Sequence, residues 1–312
     1  MSRTFHTCRH NIRLFFSKRA LMMKNTSTSV KIRMQDCMDS LTAAERQLAA
    51  VILQDYPVAG LGTITSLAES AGVSTPTVIR MARKLGFEGF PDMQASLRGE
   101  ISDQLKGPIA KKESWLSNAA DEHALNQFAD AISSNVRNTL QRLSPDTFDK
   151  VTALLAAQEN HIYLAGGRIT RSNADYLFNH LQIIRPDVTH LSHSANVWPQ
   201  YLLDMGANSV LIIFDIRRYE TDLLKLARLA KERNSKIVLF TDQWGSPISK
   251  LADHSIHAFV EAPSSWDSTV AMMMIIEAII ADVQDQRWDD SKDRIEELES
   301  MFGKTRLFRN FN

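Results

Sequence analysis

One group of residues with the chemistry to read DNA lies within an eleven-residue stretch of this 312-residue chain. Short hydroxyl side chains come first, and cationic side chains follow. Hydroxyls near the start of a helix can approach base edges in the major groove, while arginine and lysine reach guanine or phosphate. The residues are Ser74, Thr75, Thr77, Arg80, Arg83 and Lys84. We predict that they form the outward face of a DNA-reading helix; the alternative is a solvated basic face on an ordinary helical hairpin.

A second group of residues has the chemistry to bind a small anion and lies in two loops. Residues 166–173 carry glycines and hydroxyls and open a helix, so backbone N–H groups and the helix dipole can hold an anion. Residues 215–221 carry two arginines and a tyrosine, which suit a phosphate or carboxylate. The predicted ligand-binding residues are Gly166, Gly167, Arg168, Thr170, Ser172, Asp215, Arg217, Arg218, Tyr219 and Thr221.

Each loop has a simpler interpretation that the sequence leaves open. The two glycines are also typical of a tight turn from a strand into a helix. The two arginines could instead form ion pairs with acidic residues close to them in the chain, which are Asp215, Glu220 and Asp222.

The predicted DNA-reading helix is positioned by a helix-turn-helix pattern over residues 64–86. Counting Ile64 as position one, Ala68 falls at five, Gly72 at nine and Val78 at fifteen. A small residue lets two helices cross closely, glycine accepts a left-handed turn, and a branched apolar residue closes the angle. Val78, Met81 and Leu85 form the apolar face of the second helix.

Two residues in this region are predicted to begin helices. Thr42 is followed three residues later by Glu45, which completes a capping box ahead of an apolar helical face. Ser74 stands at the N-cap position of the predicted DNA-reading helix, with Pro76 tolerated in its first turn.

The two predicted ligand loops are positioned by alternating strands and helices. The expected strands span residues 161–165, 188–191, 209–214, 236–241 and 255–260, and the expected helices lie near 171–184, 196–204, 219–233, 247–252 and 267–285. This alternation predicts an α/β fold with a doubly wound, five-stranded parallel sheet. Both loops follow strands, and ligands of such sheets bind beyond the carboxyl ends of the strands.

The charge is balanced overall but unevenly distributed. Thirty-six Lys and Arg residues match 36 Asp and Glu residues, which argues against a protein that coats nucleic acid or an acidic membrane. Residues 1–35 hold eight bases and no acid, whereas residues 36–312 hold 28 bases and 36 acids. We expect this basic leader to be disordered, or translation to begin at Met22, Met23 or Met34; a DNA-contacting arm and an organellar transit peptide are the alternatives.

The remaining composition predicts a soluble cytoplasmic protein without a membrane partner. Cys8 and Cys37 are too few for a disulfide framework, and the apolar run over residues 270–281 is too short to span a bilayer. The expected organisation is a leader over residues 1–35, an all-α helix-turn-helix domain over 36–106, a linker over 107–123, an α/β ligand-binding domain over 124–285 and a helical extension over 286–312.

Both halves of the chain resemble parts of one protein family. The first half is similar to the helix-turn-helix of RpiR-type bacterial transcriptional regulators, through residues 73–74, residues 77–80 and the K-L-G-F-x-G-F sequence over residues 84–90. That likeness implies that Ser74, Thr75, Thr77 and Arg80 face DNA. The second half resembles the sugar-isomerase (SIS) domain of these regulators through residues 162–166, 227–231, 237–242 and 246–253.

The two ligand loops depart from the pattern that the resemblance implies. The first loop of an SIS domain reads G-x-G-x-S, but here Arg168 stands near the middle glycine and hydroxyls follow at Thr170 and Ser172. The second reads S-x-S-G-x-T, of which only Thr221 corresponds. We therefore favour an anion held by arginine over a sugar phosphate held by serine.

These residues and the resemblance together predict a transcriptional regulator and not an enzyme. A small anionic metabolite, a sugar phosphate or carboxylate, would alter binding to double-stranded operator DNA. We expect a homodimer or homotetramer, because one recognition helix reads few base pairs. The alternative function is a sugar-phosphate isomerase or deaminase with a helical dimerisation domain, in which Glu261 or Glu277 is the acid/base.

We expect neither a metal nor a cofactor. His190 and His193, like His254 and His257, stand three positions apart, in or next to predicted strands. That spacing directs the two side chains of each pair to opposite faces, so neither pair forms an obvious metal site.

Overall fold

The computed structural model of the protein describes residues 29–105, 107–117 and 123–306. The chain forms two units, Met1–Leu105 and Lys106–Asn312. Each has a hydrophobic core of its own. Within the described ranges, no helix combines the length and the apolar character needed to cross a bilayer.

The described part of the N-terminal unit contains helices and no strand. Its helices are α1 (Val30–Asp36), α2 (Ala43–Gln54), α3 (Ile64–Ser70), α4 (Thr75–Lys84) and α5 (Phe90–Leu105), with short 3-10 turns at Met38–Ser40 and Val58–Leu61. The capping box ahead of α2 is present, since the Thr42 hydroxyl accepts from the Glu45 N–H and Glu45 accepts from the Thr42 N–H at 2.8 Å. The all-α prediction for this unit is confirmed.

Helices α3 and α4 form the predicted helix-turn-helix. Ala68 is buried where the helices pack, and Gly72 has a φ of 61°, the left-handed conformation that the turn requires. Val78, Met81 and Leu85 are all buried in the core of this unit. Each position of the pattern therefore has the role that the spacing predicted.

The expectation of a disordered leader over residues 1–35 is wrong for residues 29–35. Val30, Ile32 and Met34 of α1 are buried in the helical core, and the Ser29 hydroxyl accepts a hydrogen bond from the Ile32 N–H. Lys31 and Arg33 alternate with these apolar residues, so the basic charge of the segment masks its apolar spacing in the sequence. The expectations for residues 1–28, including Met22 and Met23, lie outside the described residues.

The C-terminal unit contains the predicted five-stranded parallel sheet. Its strands are β1 (His161–Gly166), β2 (Val188–His190), β3 (Ser209–Asp215), β4 (Lys236–Asp242) and β5 (His254–Ala258), in the order β2-β1-β3-β4-β5. All neighbouring strands are parallel. The order reverses between β1 and β3, so the carboxyl ends of these two strands flank the switch point at which such sheets bind ligands.

Helices cover both faces of the sheet. The described helices of this unit are α6 (Pro108–Ser117), α7 (Ala124–Arg142), α8 (Pro145–Ala156), α9 (Arg171–Ile184), α10 (Trp198–Leu203), α11 (Thr221–Glu232), α12 (Val270–Gln286) and α13 (Trp288–Thr305). Apolar residues of α8, α9 and α12 pack on one face of the strands, and those of α10 and α11 pack on the other. The expected helix over residues 247–252 is shorter, a 3-10 turn at Pro247–Lys250.

Two segments at the borders of the sheet domain are also helical. A linker was expected over residues 107–123, but α6 occupies Pro108–Ser117, and residues 118–122 lie outside the described ranges. The linker prediction rested on missing apolar periodicity, and among the described side chains of α6 the buried one is the charged Lys111. The helix expected after residue 286 is α13, and Arg294 joins it to α9 by donating to the carbonyl groups of Gln182 and Ile183.

Candidate functional site

The predicted DNA-reading residues lie on or next to α4. Ser74 occupies the N-cap position, although its hydroxyl does not accept from the helix backbone. Ser74, Arg80, Arg83 and Lys84 are exposed, and Thr75 is half-buried. The helix therefore presents a hydroxyl at its start and cations along one edge, as the sequence predicted.

Thr77 corrects the predicted face. Its side chain is buried, although it was expected to point outward. The reason is helical geometry, since Thr77 precedes the core residue Met81 by one turn. The Thr77 hydroxyl lies 3.0 Å from Ser74 Oγ and accepts from Arg80 Nη2 at 3.0 Å. Thr77 is thus placed to orient two exposed residues and not to contact a base.

Lys84 and Arg83 are both tied to the protein. Lys84 Nζ forms a salt bridge of 2.6 Å with Glu45 Oε2, and the carboxylate of Glu45 is buried. Burial opposes ionisation of Glu45, but hydrogen bonds from Lys84 and Thr42 outweigh it and lower the pKa of the carboxyl. Arg83 Nε donates to the Glu88 carbonyl at 3.3 Å. Of the three cations on this edge, Arg80 differs in that its described hydrogen bond goes to a side chain of its own helix, the Thr77 hydroxyl.

A cavity of about 470 Å³ opens at the carboxyl ends of β1 and β3. It is lined by Pro108, Lys111, Gly167, Arg168, Ile169, Thr170, Asp215, Ile216, Arg217, Arg218, Glu220, Ser265, Trp266 and Asp267. Both predicted loops thus meet at one site. Four of the lining residues are cationic and three are acidic.

The first loop needs glycine at position 166 and is braced by Thr170. A Cβ at Gly166 would lie 2.7 Å from backbone atoms of Thr170 and Arg171. The Thr170 hydroxyl accepts from the Gly167 N–H at 2.9 Å and donates to the Phe214 carbonyl at 2.6 Å. The turn interpretation of these glycines is therefore correct, and Thr170 joins the ends of β1 and β3.

An internal carboxylate occupies the backbone position predicted to hold an external anion. Glu220 Oε1 accepts from the Arg168 N–H at 2.6 Å. The same oxygen lies 2.7 Å from the place a Cβ on Gly167 would take. The anion that this loop holds in the structure is thus part of the chain.

The second loop is held by two buried carboxylates. Asp242 accepts from the Arg217 N–H at 2.6 Å and the Tyr219 hydroxyl at 2.8 Å. Asp215 accepts from the Ser246 hydroxyl at 2.5 Å and the Glu220 N–H at 3.2 Å. Burial raises the pKa of Asp215 to about 6 and also raises that of Asp242. The backbone N–H groups of Arg217 and Glu220 therefore point into the protein.

Arg217 is ion-paired, but not with the residues expected from the sequence. Its guanidinium is 4% exposed and lies 4.0 Å from the centre of the Trp244 ring. Its Nε is 3.4 Å from Asp267 Oδ2, and its Nη2 is 3.6 Å from Glu261 Oε1. The partners come from the segment after β5, far from residues 215–222 in the chain. Arg218, with a φ of 67°, is exposed at the cavity.

The cavity lining differs from the predicted ligand set in both directions. Gly166, Ser172, Tyr219 and Thr221 are not among the lining residues; the Ser172 hydroxyl donates to the Ile169 carbonyl instead. The residues that sequence reasoning missed are Pro108, Lys111, Ile169, Ile216, Glu220, Ser265, Trp266 and Asp267. Ile169, Ile216 and Glu220 lie within the two predicted loops, so the sequence offered a reason to include them. The other residues come from segments without a motif or periodicity that points to a ligand site.

The two candidate acid/base glutamates lie outside this lining. Glu277 of α12 accepts a hydrogen bond from the Tyr176 hydroxyl at 3.2 Å, and Glu261 pairs with Arg217. The Nδ1 atom of His190 lies 3.4 Å from Oδ1 of Asp175. Among the described residues, no three His, Cys, Asp or Glu side chains are grouped so as to hold a metal ion.

Both parts of the chain match known families in the order that the fold indicates. Residues 28–104 match the helix-turn-helix domain of the rpiR family, and residues 155–281 match the SIS domain. A DNA-binding helix-turn-helix joined to an SIS domain defines a class of transcriptional regulator. The chain belongs to the RpiR-type transcriptional regulators.

The chain is similar to proteins named as HTH-type transcriptional regulators. HTH-type transcriptional regulator HexR of Pseudomonas aeruginosa is 26% identical over 273 residues, which are 84% of this chain and 88% of that protein. HexR of Escherichia coli is 21% identical over 285 residues, 88% of this chain and 94% of that protein.

Solved structures share the fold. The Vibrio vulnificus NanR protein complexed with ManNAc-6P has a TM-score of 0.52 at 17% identity, covering 90% of this chain and 100% of that one. The sugar isomerase domain of an RpiR transcription factor from Sphaerobacter thermophilus has a TM-score of 0.53 at 19% identity, covering 56% of this chain and 97% of that one.

Proposed function

We propose that this regulator binds operator DNA through α4 and alters that binding when a small anionic metabolite enters the cavity at the carboxyl ends of β1 and β3. Ser74, Thr75 and Arg80 contact DNA, with Arg83 and Lys84 near phosphates. The protein acts in the cytoplasm as a homodimer or homotetramer, because two recognition helices on a palindrome supply the affinity that one lacks.

The observation that carries this proposal is a cavity with four cationic lining residues at the switch point of the sheet. The same chain also contains a helix-turn-helix. Lys111, Arg168, Arg217 and Arg218 attract an anion to that cavity. NanR, which shares the fold, is complexed with a sugar phosphate. Here arginines replace the serines of the SIS pattern, so either a carboxylate or a phosphate suits the effector's acidic group.

Ligand binding changes DNA affinity only insofar as the ligand prefers one arrangement of the paired helix-turn-helix units. A neutral chain with few cations on α4 also binds non-specific DNA weakly and relies on dimer geometry. A dimeric operator with fixed half-site spacing is therefore the expected target.

The DNA-binding half of the proposal is tested by replacing Arg80. An operator fragment is first selected from random-sequence DNA with the wild-type protein, and affinities are then measured at one fixed salt concentration. Arg80→Ala should weaken operator binding by about 1–3 kcal/mol. Arg98→Ala on α5 removes the same charge from an exposed position and is the control. Wild-type affinity for Arg80→Ala would exclude α4 as the reading helix.

The effector half is tested by a thermal-shift screen of sugar phosphates and small carboxylic acids, with and without operator DNA. Arg218→Ala should abolish the response to the effector that the screen identifies and leave DNA affinity unchanged. Arg217 is replaced separately, because its buried ion pairs also support the fold. Arg228→Ala, an exposed change on α11, is the control. Turnover of a phosphosugar by the purified protein would favour the isomerase or deaminase alternative.

A further inference from the structure

Helix α6 buries a charged side chain against the rest of the C-terminal unit. Among its described side chains, the buried one is Lys111, whereas Ile109 is 77% exposed and Trp115 is also exposed. A surface helix is ordinarily attached by an apolar stripe. In α6 the described buried side chain is charged, so the contact made by its Nζ contributes to the attachment of the helix.

The contact made by Lys111 lies in the cavity. Lys111 Nζ is 2.5 Å from Asp267 Oδ1, and Asp267 Oδ2 is 3.4 Å from Arg217 Nε. One carboxylate therefore lies between two buried cations. The contact with Arg217 is longer than the 2.7–2.9 Å typical of a charge-assisted hydrogen bond, so a better-fitting oxyanion can compete for this position.

Asp267 lies on the connection between β5 and α12, outside any helix or strand. It can therefore leave the two cations without breaking regular structure. Its neighbour Trp266 is 54% exposed and also lines the cavity. Departure of Asp267 would otherwise take from the buried Lys111 the carboxylate it pairs with and from Arg217 one of its two described carboxylate contacts, which is costly, so it requires a replacement anion.

We propose that Lys111 and Arg217 form the anion-binding pair of the effector site, and that Asp267 occupies the position of the effector's acidic group until an effector displaces it. This inference rests on the proposed function, since it assigns the residues that the anionic effector contacts. The ligand chemistry is an oxyanion, either carboxylate or phosphate. Effector binding then replaces Asp267 as the partner of Lys111. Because Lys111 contributes to the attachment of α6, this replacement changes how firmly α6 is held. Helix α6 is the first helix that follows residues 30–105 in the chain.

Phosphate and malonate titrations of the full chain, followed by calorimetry, test the anion-binding pair. Asp267→Asn removes the internal competitor and should bind at least one of these anions about tenfold or more tightly than the wild type. Adding Lys111→Met to Asp267→Asn should remove that gain. Adding Lys112→Met, an exposed lysine on the same helix, should not. Comparison of the two anions shows whether the pair prefers phosphate or carboxylate.

Hydrogen exchange of the α6 amides tests the link to the helix. Without added anion, Asp267→Asn should exchange faster than wild type over residues 109–117, and the preferred anion should restore protection. The restoration should be lost when Lys111→Met is added. If Asp267→Asn does not fold, the wild type remains informative, because saturating anion must then alter exchange in α6.

Equal anion affinities for wild type and Asp267→Asn would overturn the inference, as would a Lys111→Met double variant that binds as tightly as Asp267→Asn alone. Unchanged α6 exchange in the wild type at saturating anion would also overturn it. The proposed function fails separately. It fails if no DNA sequence can be selected, and it survives if a metabolite shifts operator affinity while these anion titrations show no dependence on Lys111 or Asp267.

Discussion

The backbone N–H of Val30 donates a hydrogen bond of 2.6 Å to Glu100 Oε1. It joins α1 to α5, the first and last described helices of the N-terminal unit, and Glu100 also accepts from the Tyr56 hydroxyl. Burial raises the pKa of Glu100. A carboxylate next to the N-terminus of α1 is favourable, because the helix dipole and free N–H groups are there. Helix α1 is thus part of the helix-turn-helix unit and not of a detached leader.

A protein that begins at Met34 should therefore be less stable than the full chain. It loses Val30 and Ile32, each of which is worth about 1.5–3 kcal/mol when buried, and removes the hydrogen bond that the Val30 N–H donates to the buried Glu100. Thermal unfolding by circular dichroism measures the loss. A chain that begins with an added Met before Ser29 is the control. Equal melting temperatures for the two truncations would contradict the role of α1.

Replacement of Lys84 should affect stability more than DNA binding. Lys84→Met removes the partner of the buried Glu45 carboxylate, at a cost of about 1–2 kcal/mol in the free energy of unfolding. Operator affinity should fall less than in Arg83→Ala. The double variant Lys84→Met/Glu45→Gln should recover part of the stability, because it leaves no unpaired charge. A larger loss of affinity than for Arg83→Ala would show that Lys84 contacts DNA directly.

Asp215 should make stability depend on pH in a direction unusual for a carboxylate. Its pKa is about 6 in the folded protein against an ordinary value of 3.8, so between these values the folded state binds more protons than the unfolded state. Its contribution is therefore favourable below about pH 4 and is lost as pH rises through about 6. Relative to wild type, Asp215→Asn should gain up to about 3 kcal/mol between pH 4 and pH 7.

Urea unfolding at several pH values measures that difference. Asp149→Asn, which changes an exposed aspartate of α8, is the control and should show a much flatter difference. A difference between wild type and Asp215→Asn that did not vary with pH would mean that burial does not control the ionisation of Asp215.

Gly166→Ala should destabilise the C-terminal unit by about 1–3 kcal/mol. The added Cβ would lie 2.7 Å from backbone atoms of Thr170 and Arg171, which cannot move aside as a flexible side chain can. Gly206→Ala is the matched control, since a Cβ there meets no atom within 4 Å. Thermal unfolding compares the two. Similar melting temperatures would show that the first loop relaxes around the new methyl group.

The sequence by itself was enough to predict both folds. The spacing of Ala68, Gly72 and Val78 predicted the helix-turn-helix, because each residue type meets a local steric need. Alternating apolar strands and helices predicted the parallel sheet, and the position of the two loops at strand ends predicted that they meet. These signals depend on residues close together in the chain, where composition and periodicity report directly on backbone conformation.

Only the tertiary structure decided which groups pair inside the site. Lys111 and Asp267 are 156 residues apart, and neither residue lies in a sequence pattern that predicts its partner. The sequence made Glu220 a possible ion-pair partner of Arg217 and Arg218, yet its carboxylate accepts a hydrogen bond from the backbone N–H of Arg168. Ion pairs and hydrogen bonds act over a few ångströms in space and carry no fixed spacing in sequence. The partners of a buried charge are therefore set by packing of distant segments, and the chain has to fold before they are defined.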